Sequence, residues 1–213
     1  MRHIKKSAAP AAFNAYKGCN GATYKNFVAN QPLYNEVKQQ LIGDQLGQCC
    51  YCGIRVELDS THIEHVLDQN KHKKLQLEFS NLLASCNGGP RQEHCGHAKG
   101  SRPLPVTPLQ DDCEERFVFR SNGYVASVED DQDADTSIDV LNLNIVKLRN
   151  MRKAALSGSG LFEDDLKLED IEEYIELYNS ADDNGQLEPF SQVVVNRLRQ
   201  EQALLLQAER VSG

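Results

Sequence analysis

Four cysteines constrain this chain more than any other feature. Cys49 and Cys52 stand two residues apart in the run QCCYCG, and Cys86 and Cys95 follow about 35 residues on. A C-x2-C pair puts two thiolates on one turn, which is half of a tetrahedral zinc shell, and the second, looser pair can supply the other half. Five of the seven cysteines lie between positions 49 and 95. In a reducing compartment such crowding favours metal ligation over disulfides. Cys50, next to Cys49, should point away, and Cys19 and Cys113 have no partner spacing, so these three stay outside the frame. The plainer reading of any one of the four is an ordinary buried thiol.

At 213 residues the chain fits one domain, or a small domain with an added half. No run approaches the ~18 uninterrupted apolar residues of a membrane span. The start MRHIKKS leads into no apolar stretch, so the expectation is a cytoplasmic protein without a secretory signal. The formal net charge of -8 divides unevenly: residues 1–105 carry 13 Lys and Arg against 8 Asp and Glu, and residues 106–213 carry 10 against 23, or +5 and -13. The first half can face phosphate and the second cannot, although charge runs are usually solvated faces.

Three parts are expected: an N-terminal arm and helix over 1–46, a zinc-framed core over 47–105, and a hairpin with an acidic helical region over 106–213. The first 30 residues read as an irregular arm. A helix is expected from Gln31 to about Leu46, with Pro32 in its first turn and Leu33, Val37, Leu41 and Ile42 on one face. Strands are expected at 55–58 and about 62–66, and a helix capped by Ser80 beginning at Asn81. Beyond the proline-rich boundary at 103–108, Asn122-Gly123 marks a hairpin turn between 116–120 and 123–128. The acidic run at 129–135 reads as a solvated loop, followed by helices at about 142–157, 168–180 and 188–208.

If four thiolates fill the zinc shell, the run STHIEHVLD at 60–68 keeps its histidines for other work. His65 suits proton abstraction from water, because a neutral imidazole with a pKa near ~6.5 accepts protons at physiological pH. Glu64 would turn its side chain to the other face of a strand, and His62 would share that face, as a ligand or a substrate contact. For His65 the bland alternative is a satisfied histidine on a half-buried strand, for Glu64 a solvent-facing carboxylate, and for Asn81 a helix cap.

The stretches CCYCG at 49–53, HIEHV at 62–66, SNLLASCNGG at 80–89 and HCGHAKG at 94–100 resemble the HNH, or His-Me finger, endonucleases in their cysteine-framed branch. The likeness is greatest to the PtuB-like HNH subunits of Septu-type anti-phage systems and to retron-associated HNH proteins, and MRHIKK at the start and LNLN at 141–144 extend it. It implies an α+β fold with a ββα-metal core in a four-cysteine zinc knuckle frame, then a hairpin and a mostly helical C-terminal half. The family's roles fall on Glu64 as acidic metal ligand, His65 as general base, Asn81 as the brace of the loop, and His97 as the last motif residue. Glu64 and His97 would then hold Mg2+ or Mn2+, apart from a structural zinc on Cys49, Cys52, Cys86 and Cys95. The sequence departs from the pattern at Glu64, where Asp is commoner, at Asp68, often Pro, and at Gly96, which leaves His97, His94 and Asn87 as competing ligands.

The resemblance further implies a nucleic-acid substrate, DNA first with tRNA or other RNA as alternatives, an ABC/SMC-like ATPase partner, and in retrons a reverse transcriptase with its RNA–DNA product. Lys71, Lys73, Lys74, Arg91, Lys99 and Arg102 are candidate phosphate contacts. The acidic half would dock the partner. The rival from another class is a zinc-stapled, non-catalytic adaptor binding nucleic acid or protein. A second rival makes His62 and His65 the zinc ligands, freeing two cysteines.

Overall fold

A computed structural model of the chain describes residues 1–162 and 166–212. The N-terminal segment carries two short helices, α1 (Ala11–Lys17) and α2 (Tyr24–Ala29), where an irregular arm is expected. Neither is long enough to show a periodic stripe. What holds them is tertiary: Phe13 and Phe27 are fully buried with ring centroids 5.0 Å apart, and Phe13 also meets Phe79 edge-on at 6.4 Å. Helix α3 (Gln31–Asp44) matches its expected start and buries Leu33, Val37, Leu41 and Ile42; the Asn30 side chain accepts the Leu33 amide at its N-terminus.

Residues 55–58 form no strand. The Gln48–Arg55 bridge there is isolated, and a single 3-10 turn at Leu58–Ser60 leads into β1 (Thr61–His65). Its partner is β2 (Leu82–Cys86), antiparallel, with Thr61 opposite Cys86 and His65 opposite Leu82. The stretch after Asn81 is therefore a strand, not the expected helix. A short apolar run carries no period that separates the two, and here Leu82, Leu83 and Ala84 are all buried in a two-sided contact. The open side of β2 is closed by Gln45: its Nε2 donates to the Ala84 carbonyl at 2.8 Å and its Oε1 accepts the Ala84 amide at 2.7 Å. A five-residue helix, α4 (Cys95–Lys99), follows the pair.

In the C-terminal half, β3 (Phe117–Phe119) and β4 (Val125–Ser127) form the expected hairpin. The acidic run is partly helical: α5 (Gln132–Val140) starts on Asp131, whose carboxylate accepts the Ala134 amide, with Asp133 and Asp135 in the first turn. Carboxylates at a helix N-terminus are favoured by the exposed amides, so the cap outweighs the mutual repulsion that suggested a loop. Helices α6 (Val146–Gly158), α7 (Leu168–Asn179) and α8 (Ser191–Ser212) correspond to the three expected ones. The fold is thus mixed α+β.

One cluster of buried side chains extends from Met1 to Leu198. Residues 187–191 lie directly on the cysteine turn: the Leu187 amide donates to Leu46 O at 2.9 Å, the Phe190 amide to Gly53 O at 2.8 Å, and Gln48 Nε2 to Ser191 Oγ at 3.0 Å. Arg152 of α6 is fully buried and donates to Gly123 O and Leu143 O, each at 2.7 Å, with no carboxylate partner among the described residues. Gly123 has a φ of 77°, and a Cβ there would lie 2.0 Å from the Arg149 carbonyl oxygen. Gly123→Ala combines left-handed strain with a backbone clash, so it should cost roughly 2 to 4 kcal/mol. Urea unfolding within about 0.5 kcal/mol of the parent would contradict this account of the turn.

Candidate metal centre and active site

The four framing cysteines come from three elements. Cys49 and Cys52 flank a turn closed by the Gly53 amide on Cys49 O at 3.1 Å, Cys86 ends β2, and Cys95 starts α4 in a left-handed conformation (φ 61°). Their sulfurs are buried and all lie within 4.8 Å of one another. The Cys52–Cys86 separation is 3.9 Å, and a tetrahedron with Zn–S bonds of ~2.3 Å has an edge of roughly 3.8 Å. Burial opposes ionisation at every sulfur. Hydrogen bonds from the surrounding thiols nonetheless hold Cys49 well below its ordinary value, whereas burial and the charge on Cys49 hold Cys52 and Cys95 well above theirs. Cys86 is brought down to about 7: its contact with Cys49 opposes ionisation, and hydrogen bonds from Cys52 and Cys95 outweigh it. The cluster thus favours thiolates at two sulfurs and thiols at the other two, and four thiolates require a cation. Among the described residues these cysteines are the one group of three or more potential ligands that converges in this way; His62 and His65 are not in it.

His94 is the frame's neighbour. Its Nδ1 lies 3.2 Å from Cys95 Sγ and 3.8 Å from Cys86 Sγ, so it faces the sulfurs. Asn87 Oδ1 accepts from His62 Nδ1 at 3.3 Å, and the His97 ring stands 4.3 Å from the His62 ring. Of the three competing candidates, His97 lines the cleft itself.

That cleft, about 290 Å³ in volume, is lined by Tyr24, His62, Glu64, His65, Gly96, His97 and Lys99, among others. Alternation along β1 puts His62 and Glu64 on one face, with His62 Nε2 3.5 Å from Glu64 Oε2. The other carboxylate oxygen, Oε1, accepts from Lys99 Nζ at 2.8 Å and from the Tyr51 hydroxyl at 3.2 Å. Burial would raise the Glu64 pKa, but His62 and Lys99 outweigh it and hold the group below the usual carboxylate value. Burial likewise opposes charge on His62, yet the Glu64 carboxylate holds it above the ordinary histidine value.

His65 ends β1, where its Nε2 lies 3.0 Å from the Gln76 carbonyl. A carbonyl only accepts, so Nε2 carries the proton and Nδ1 keeps a free lone pair. Burial, opposed by that same hydrogen bond, leaves the ring below its ordinary pKa and so neutral near pH 7. Tyr24 of α2 packs against the ring in an edge contact at 4.5 Å, and Lys99 Nζ donates to the His65 carbonyl at 2.8 Å. Asn81 heads β2 and stitches the loop after His65: Oδ1 accepts the Leu67 amide at 2.8 Å, and Nδ2 donates to Leu67 O at 3.0 Å and Leu75 O at 3.3 Å.

Lys99 is nearly inaccessible and committed to Glu64 and His65, and Arg102 donates to the Ala98 and Val140 carbonyls. Lys73, Lys74 and Arg91 are exposed. Sequence reasoning missed Tyr24, Tyr51, Gln76 and the structural use of Lys99. The first lies about 40 residues from His65 in sequence, in a segment with no recognisable pattern, and only the aromatic spacing of Tyr24 and Phe27 offered a signal.

No protein-family model matches the chain. A protein of Escherichia coli named "Retron Ec83 putative HNH endonuclease" is similar to it: 27% identical over 206 aligned residues, with 73% of this chain and 79% of that protein covered. No helix among the described residues is long and apolar enough to cross a membrane.

Replacing one sulfur leaves three buried thiols that cannot close a shell. Cys86→Ser should lower bound metal well below one ion per chain and cost roughly 4 kcal/mol or more, whereas Cys19→Ser should change neither. Elemental analysis with thermal unfolding checks this, and a full metal complement in Cys86→Ser would refute the frame.

Proposed function

We propose that the chain is a metal-dependent HNH endonuclease that hydrolyses phosphodiester bonds, DNA first among its substrates. In this reading β1, β2 and α4 are the ββα-metal core, and Cys49, Cys52, Cys86 and Cys95 hold a structural zinc. The observation that carries it is His65: an imidazole pinned through Nε2 on a backbone carbonyl, with Nδ1 free, beside a buried carboxylate in a cleft. A satisfied core histidine would have no need of an adjacent Glu64 on the opposite strand face. An adaptor module would have no use for either.

His65 Nδ1 accepts the proton of the attacking water, while Tyr24 and Gln76 fix the ring. Asn81 holds the loop that presents Gln76's neighbourhood, and so acts through position. Glu64, with an imidazole from the His62–His97 pair, would hold Mg2+ or Mn2+; the donor set of one carboxylate and imidazole fits a divalent cation. Such an ion, when bound, polarises the phosphate and stabilises the leaving oxygen. Lys99 keeps Glu64 oriented and ionised. Exposed Lys73, Lys74 and Arg91 track the phosphate backbone.

The retron name of the similar protein, together with the PtuB-like motifs, supports a place as effector in an anti-phage defence complex with an ABC/SMC-like ATPase, and in a retron setting with reverse transcriptase and its RNA–DNA product. The acidic helices α5 and α7 are the partner-facing surface in this reading, acting in the cytoplasm.

His65→Ala should reduce nicking of supercoiled DNA by ~10²-fold or more and leave the zinc content and circular dichroism unchanged. Assays on supercoiled, single-stranded and RNA substrates, with Mg2+ or Mn2+ and with or without the ATPase, identify the substrate. Wild-type cleavage by His65→Ala would remove the general base.

A further inference from the structure

Resting on the nuclease reading, we infer that His62 is the imidazole that shares the divalent cation with Glu64, and that the pair selects a nitrogen-accepting ion such as Mn2+ over Mg2+.

Three observations converge on His62. Its Nε2 is 3.5 Å from Glu64 Oε2, the carboxylate oxygen not taken by Lys99 or Tyr51. Its Nδ1 faces Asn87 Oδ1 at 3.3 Å, and the Asn87 amide nitrogen donates to Asp59 O at 3.5 Å, which orients the amide with its oxygen toward the ring. An oxygen only accepts, so Asn87 holds a proton on Nδ1 and points Nε2 at Glu64, leaving Nε2 as the atom that a cation between the two would engage; outer partners of this kind commonly orient metal-binding histidines. Finally, a Cβ on residue 96 would fall 2.5 Å from Glu64 Oε2 and 2.7 Å from His62 Nε2, so Gly96 keeps open the space between the two ligand atoms. Gly96 has no left-handed φ to explain it. The absence of a side chain is needed for the site, not for the backbone. His97 touches the His62 ring, but no His62–Glu64–His97 group with mutually close ligand atoms occurs among the described residues.

The selectivity follows from charge. Lys99 at 2.8 Å already neutralises the carboxylate of Glu64. Mg2+ relies on carboxylate charge and oxygen donors and dehydrates reluctantly; Mn2+ shares the liking for oxygen but, as a transition-series ion, takes imidazole nitrogen more readily than Mg2+ does. A site of one neutralised carboxylate and one lone-pair nitrogen therefore disfavours Mg2+.

The test is titration of the zinc-loaded full chain with Mn2+, followed by the free-ion paramagnetic resonance signal, with Mg2+ as competitor. The expected result is one Mn2+ per chain, at least tenfold weaker binding in both His62→Ala and Gly96→Ala, and at least tenfold more Mg2+ than Mn2+ needed for half-displacement. Zinc content and circular dichroism show that each variant is folded, and His62→Ala alone decides if Gly96→Ala is not. Binding in His62→Ala within threefold of the parent overturns the assignment, as does loss confined to His97→Ala, or displacement by equimolar Mg2+. Mn2+ held through His62 in a protein that nicks no nucleic acid would uphold this site and remove the nuclease reading. Parental Mn2+-dependent nicking by His62→Ala would do the reverse.

Discussion

The four cysteine sulfurs are crowded within 4.8 Å in a buried place where burial opposes their ionisation, and the rest of the structure is arranged around that constraint. A cation would resolve it, and in doing so would tie together a turn, a strand end and a helix start. The cleft depends on the same junction. Cys95 and Gly96 are adjacent at the start of α4: the first turns its sulfur to the frame, and the second leaves room between His62 and Glu64. One turn later Lys99 reaches Glu64 and the His65 carbonyl. A five-residue helix, too short to persist alone, is thereby anchored at both ends by the two sites it joins.

The C-terminal half contributes to this junction from outside. Leu141 O accepts the Cys95 amide at 2.9 Å, and the Asn142 side chain donates to Glu93 O at 2.7 Å, so the LNLN stretch holds the loop that delivers the last cysteine. Residues 187–191 close over the first cysteine pair. Arg152 reaches from α6 to the hairpin; burial lowers its pKa to about 10, and negative charge on Cys52 and Cys95 would act against that shift. A buried guanidinium is costly, and a metal held by four thiolates, with net negative charge, would offset part of that cost. Eight of the 23 acidic residues of this half stand on the exposed faces of α5 and α7.

Several elements were legible because their signals are local. Pro32 and the apolar positions of α3, the Asn122-Gly123 turn and the stripes of α6 and α8 each need only a short window of sequence. The misread elements are those decided by contacts far along the chain. Residues 82–86 became a strand because β1 and Gln45 satisfy their backbone from both sides. Helices α1 and α2 exist because Phe13, Phe27 and Phe79 stack. Asp131 made a helix out of an acidic run through one capping bond, a signal present in the sequence but outvoted by charge.

By itself the sequence determined which atoms could do chemistry: the C-x2-C spacing, the later cysteines and the His-Ile-Glu-His run restrict metal-binding and proton-transfer groups to a few side chains, since only thiols, imidazoles and carboxylates serve. Tertiary structure decided which of them meet. It placed four cysteines from three elements around one point, turned His94 to the sulfurs, and set His62 beside Glu64 and His97 at the cleft wall. It also supplied the partners that no spacing reveals, Gln76 on His65, Lys99 on Glu64 and Asn81 across the loop. The physical reason is that a side chain's chemistry is written in its atoms, whereas its protonation, orientation and neighbours follow from burial and hydrogen bonds made across the fold.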